Sequence, residues 1–112
     1  MAIAFKSRRI DFDPTRGQIQ REPGSVSFDT RVTKAEAVVK GWDIRYNNGD
    51  HEILRQLINI RDVAVSSGNR VDFTVEFLLR DSSGSTDDPF SGFVEVLIIA
   101  DVEGAIPGVS LT

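Results

Sequence analysis

The sequence predicts an all-β domain, an antiparallel six-stranded β-sandwich, and three observations carry that prediction. Apolar and polar residues alternate with a period of two from Val71 to Leu79 and again from Val94 to Val102. This puts Val71, Phe73, Val75, Phe77 and Leu79 on one buried face, and Val94, Val96, Ile98, Ala100 and Val102 on another. Segments rich in β-branched and aromatic residues are separated at short spacing by Gly, Asn, Asp and Ser turns, the pattern of a sandwich or a barrel. The 112 residues suffice for one domain with its own core, and the absence of cysteine removes disulfides and thiolate metal sites as its support. The domain is read as residues 1–112, with 104–112 as a C-terminal tail ending the fold in Gly and Pro.

Phe5 to Phe12 reads as a first strand, closed by the turn residues Asp13-Pro14-Thr15-Arg16-Gly17. Gln18 to Pro23 reads as a polar connector. Gly24 to Phe28 follows as a short strand with Val26 and Phe28 on one face, and Thr30 to Thr33 as a break. From Lys34 the alternation lengthens. Ala35, Ala37 and Val39 share one face, but beyond Gly41 the apolar set is Trp42, Ile44 and Tyr46. The phase has slipped by one, and a glycine at a phase slip marks a β-bulge.

Asn47-Asn48-Gly49-Asp50 is a hairpin signal, because Asn-Gly tolerates positive φ at both central turn positions. Two patterns compete over residues 50–61. Asp50 followed by Ile53, Leu54, Leu57 and Ile58 fits a capped helix. The β-branched Ile58, Ile60, Val63 and Val65, and the Ser66-Ser67-Gly68-Asn69 turn beyond them, favour a strand. Val71 to Val102 then reads as a hairpin with one long acidic loop. Its second strand is apolar on both sides near Leu97 to Ile99, so its outer face is expected to meet a second sheet or another subunit.

Composition narrows the function. Residues 1–56 carry ten Lys or Arg against eight acids, and residues 57–112 three against nine. No concentrated basic face is indicated, so nucleic acid is not the expected partner. No run approaches a membrane span, and Met1 to Phe5 is too short an apolar run for a signal peptide, with Lys6, Arg8 and Arg9 on the wrong side of it. The compartment is left open.

Enzyme chemistry finds little to work with. The single histidine, His51, lies between Asp50 and Glu52, a pairing that could orient an imidazole, yet zinc needs more nitrogen or sulfur ligands than one. Phe90-Ser91-Gly92 is half of a nucleophile elbow, and no phosphate loop or dinucleotide fingerprint occurs. The chain is therefore read as a non-enzyme. The dense polar stretch is Arg80 to Gly92. Asp81, Asp87 and Asp88 there are candidate Ca²⁺ ligands, although their spacing is not that of an EF-hand; the competing reading is a solvated loop. Arg80 and Asp81 at the strand end, with Phe90 opposite, would suit a sugar: polar groups for its hydroxyls and a ring for its apolar face.

The order of Val26-Ser27-Phe28, Gly41-Trp42-Asp43-Ile44, Ile60 to Val65 with Val71 to Val75, and Val94 to Ala100 resembles the H-type lectin domain over roughly residues 26–103. That resemblance implies a six-stranded antiparallel β-sandwich of the broadly immunoglobulin-like kind. It also implies trimers pairing into hexamers, with galactose or N-acetylgalactosamine bound between protomers. Where the family has a Thr-Trp pair after its fifth strand, this chain has Leu79-Arg80 followed by Asp81. Arg80, Asp81 and Phe90 fall near family ligand-contacting positions, with Arg55 the counterpart of an arginine on the fourth strand. The expected function is a carbohydrate-binding adhesion module acting as a symmetric oligomer. The alternative is a structural domain of a larger assembly, such as a tail or appendage component, without a sugar site.

Overall fold

The computed structural model describes residues 2–15, 19–47, 53–81 and 89–104. All secondary structure among them is strand: β1 (Ala2–Thr15), β2 (Gln20–Ser27), β3 (Val32–Tyr46), β4 (Ile53–Ser66), β5 (Arg70–Asp81) and β6 (Phe90–Val102). They form two antiparallel three-stranded sheets, sheet A in the order β1-β6-β3 and sheet B in the order β2-β5-β4. No helix of the described residues is long and apolar enough to cross a membrane.

The central strands are the two whose alternation is strongest. Val94, Val96, Ile98, Ala100 and Val102 of β6 are buried, and so are Val71, Phe73, Val75, Phe77 and Leu79 of β5. Both sets belong to one core, into which β1 sends Ala4, Ile10 and Phe12. Phe12 stacks on Phe77 across the two sheets. Close packing reaches the backbone at Gly24, where a Cβ would stand 2.5 Å from Phe73 Cζ and 2.8 Å from Ile10 Cδ1. Gly92 is held at φ 152°, a conformation that favours glycine, and a Cβ there would collide with the Asp43 carbonyl.

The bulge expected at Gly41 is present. Ala35, Ala37 and Val39 pair with Ala100, Ile98 and Val96; the register then shifts, and Trp42, Ile44 and Tyr46 pair with Val94, Gly92 and Phe90. The extra residue keeps both apolar sets on the core side of sheet A. A second bulge lies between Arg61 and Ala64 of β4, where Asp62 takes φ 57°. Residues 53–61 are strand, which settles that part of the segment against a helix; 48–52 lie outside the described residues.

Four expectations need correction. The Asp13-Pro14-Thr15 turn lies within β1, where an edge position tolerates proline and the register is irregular between Phe12 and Thr15. Gln20 to Pro23 belongs to β2 rather than a connector, and Pro23 again sits on an edge strand. The Asn47 to Asp50 signal does not join paired strands, because β3 lies in sheet A and β4 in sheet B. For the same reason β5 and β6 are not a hairpin. The one consecutive pair that does pair is β4–β5, through the turn with Ser67 at φ 51° and Gly68 at φ 78°. That turn also holds the crossing between β2 and β3: Phe28 N donates to Asn69 O, Asn69 Nδ2 to Phe28 O, and Val32 N to Gly68 O.

Candidate functional site

The two sheets present different outer faces. On sheet B a row across three strands brings Asn59 of β4, Glu76 of β5 and Arg21 of β2 together. Asn59 Nδ2 donates to Glu76 Oε1 and Arg21 Nε to Oε2, each at 2.9 Å, and Arg61 Nη1 lies 3.5 Å from Oε2. Glu76 is only 7% exposed, yet these donors, the Asn59 amide first, hold its pKa below the usual range against the opposing effect of burial. Nearby, Ser66 Oγ donates to Asp72 Oδ2 at 2.6 Å; with Arg70 it lowers the Asp72 pKa in the same way. Around Glu76 and Asp72 the charges of this face satisfy one another, while the next row toward the end of β5 is the apolar pair Leu57 and Leu78.

Sheet A is different. The alternation that buries Ala4, Ile10 and Phe12 turns Ile3 and Phe5 outward, where they are 58% and 60% exposed. Phe5 pairs with Ile99, and Leu97 with Val38, so Ile3, Phe5, Val38, Leu97 and Ile99 form one apolar area on that face. Farther along, Phe93 is covered from within the chain: the Arg9 guanidinium lies 3.9 Å over its ring and donates to Asp11. Leu97 and Ile99, expected to imply a partner surface, do face away from sheet B.

A groove of about 260 Å³ opens between the edge strands β3 and β4, lined by Val39, Trp42, Gln56 and Ile58. Trp42 pairs with Val94 on the core side of sheet A, but sits where sheet B no longer covers it and is 54% exposed. An exposed indole beside an amide can stack on an apolar ring while exchanging hydrogen bonds.

Of the sequence-predicted site residues, Arg55 and Arg80 are brought together as direct cross-strand partners on the outer face of sheet B. Asp81 closes β5, its backbone opposite Ile53; its side chain lies outside the described residues. Phe90 is corrected. It is 1% exposed, its ring centroid 5.7 Å from that of Phe77, so it fills the core and offers no face to a ligand. Asp87, Asp88 and His51 lie outside the described residues, and among the described residues no group of three or more His, Asp or Glu gathers as a metal site. The exposed apolar residues Ile3 and Phe5 were missed, although their odd parity against Ile10 and Phe12 already pointed them away from the core. Trp42 carried no such signal, since its parity is that of Ile44 and Tyr46, which pack partly buried against the core.

No protein-family model, curated protein or solved structure matches the chain.

Proposed function

We propose that the chain is a non-catalytic interaction module, a six-stranded β-sandwich that works as a symmetric oligomer and serves as a building piece of a larger assembly. The observation that carries this reading is the apolar area on the outer face of sheet A, where Ile3, Phe5 and Val38 stand exposed beside Leu97 and Ile99. Contiguous apolar surface of this kind marks a protein contact. Two antiparallel three-stranded sheets around a shared core support the sandwich form. Sedimentation velocity across the micromolar range tests the reading. A mass that is a multiple of the chain is expected; a monomer at every concentration overturns it.

A second reading, a carbohydrate-binding module of the H-type lectin kind, is favoured by Trp42. With Phe90 in the core, the stacking ring moves from the Arg80 end to the groove between β3 and β4, where Gln56 supplies an amide for sugar hydroxyls. Galactose or N-acetylgalactosamine is the class the resemblance suggests, with weak single sites strengthened by multivalency. Trp42 is the sole tryptophan, so quenching of its fluorescence reports the groove directly. Saturable quenching by either sugar, lost in Trp42→Ala, is expected; silence on a full glycan panel removes the reading.

A further inference from the structure

The outer face of sheet A carries its charges in a specific order. Along β3, Lys34 pairs with Asp101, Glu36 with Ile99, Val38 with Leu97, and Asp43 with Phe93. Lys40, at the bulge between the Val38 and Asp43 rows, also lies on this face, because its Nζ reaches across β6 to Ser7 Oγ at 3.4 Å. The column thus reads plus, minus, apolar, plus, minus. From Lys34 to Asp43 it is antisymmetric about Val38; beyond, Arg45 adds a plus and is itself ion-paired with Asp43.

We propose that the occupant of this face is a second copy of the chain, packed sheet A on sheet A with its strands reversed, about a two-fold axis through the Val38–Leu97 row. This rests on the oligomer reading above and gives the symmetry and register of its contact. Such an axis lies in the plane between the sheets and runs across the strands, so each row meets the row equally far on the other side. Glu36 then faces Lys40 of the second copy, Lys34 faces the Asp43–Arg45 pair, Phe5 comes beside Arg9, and Ile99 and Ile3 come beside Glu95 and Asp11, so the charged pairs of β3 rather than apolar contact set the register. Leu97 and Val38 meet their own counterparts at the axis, as an isologous contact requires. The same operation covers Ile3 and Phe5, which the chain leaves exposed.

The other two-fold available to stacked sheets runs along the strands and exchanges β1 with β3. It sets Asp101 on Asp101 and Arg9 on Lys40. Like charges in contact disfavour it, so the charge order selects the reversed arrangement. Packed sheets cross at about 30°, which carries residues out of alignment as they recede from the axis. Glu36 and Lys40, one row from it, are therefore the decisive pair. Three strands about 4.8 Å apart, over some eight residues of strand length, give a face smaller than one partner's share of a standard interface, and a reversible dimer in the micromolar range is expected.

Charge exchange tests the arrangement. Sedimentation velocity is run on the wild-type chain, on Glu36→Lys and Lys40→Glu singly, and on the two together. Each residue lies on the surface of sheet A, so folding is checked simply by unchanged thermal unfolding. The single variants place like charges opposite one another at both symmetric positions, and the dimer dissociation constant should rise at least about tenfold. The double variant restores opposite charges and should return to within about threefold of wild type. Weakening of the wild-type dimer by added salt goes with the same picture. Single variants that dimerise as well as wild type, or a double variant that fails to recover, overturn the arrangement while the oligomer reading stands. A wild-type monomer throughout overturns both.

Discussion

The ring of Phe12 on β1 lies flat on that of Phe77 on β5, with centroids 4.2 Å apart and planes within 6° of each other. One residue comes from each sheet, so this stack ties the two together across the core, and Phe90 closes it from β6. Phe77 is fully buried. Replacing it by alanine removes a large apolar surface and leaves a cavity between sheets that cannot collapse independently. Phe77→Ala should cost about 3–5 kcal/mol in urea unfolding, and Phe77→Leu distinctly less. Equal losses would show that the flat stacking, rather than volume, dominates.

Glu76 gives the stability a pH dependence with a definite sign. Its pKa is lowered in the folded chain by the Asn59 amide and by Arg21, and that of Asp72 by Ser66 and Arg70. A carboxylate with a lowered native pKa contributes stability that is complete above its ordinary value, and lost as the pH falls through the lowered one. The melting temperature should therefore hold from neutrality down to about pH 4.3, the ordinary glutamate value, and fall below it. Glu76→Gln keeps the shape but not the charge. It should lower the melting temperature at pH 7 and flatten the acid limb, leaving only the share due to Asp72. An acid limb identical to wild type would count against this assignment.

Arg55 and Arg80 stand directly opposite one another on β4 and β5. Like charges in a direct cross-strand pair are unfavourable, and opposite ones favourable by roughly 0.2–1 kcal/mol. Arg55→Glu should consequently stabilise the fold by up to about 1 kcal/mol in urea unfolding, the gain shrinking with added salt. A destabilised variant would mean that Arg55 packs where an acid does not.

Much of the fold was legible from parity. The apolar sets of β5 and β6 are the buried sets, and the phase slip at Gly41 is a bulge because an inserted residue must be absorbed if Val39 and Trp42 are both to face the core. The candidate site was less legible. Arg55 and Arg80 were singled out and do meet, but Phe90 looked like an exposed ring at a loop end and is in the core, since the strand pairs with Tyr46 and Thr15 on both sides there. A loop-adjacent aromatic has the same local pattern whether a second sheet covers it or not.

The sequence by itself determined which residues share a face of each strand, because alternation is a property of the backbone at every pleat and needs no partner. It determined the bulge and the β4–β5 turn for the same local reason. Only the tertiary structure decided which strands pair. The segments around Asn47 to Asp50 and between Asp81 and Phe90 looked like hairpin connections, yet the flanking strands lie in different sheets, because burying two central apolar strands against each other outweighs pairing neighbours along the chain. That choice also left Trp42 at an uncovered edge and Ile3 and Phe5 outside, and these are the surfaces through which the protein is proposed to act.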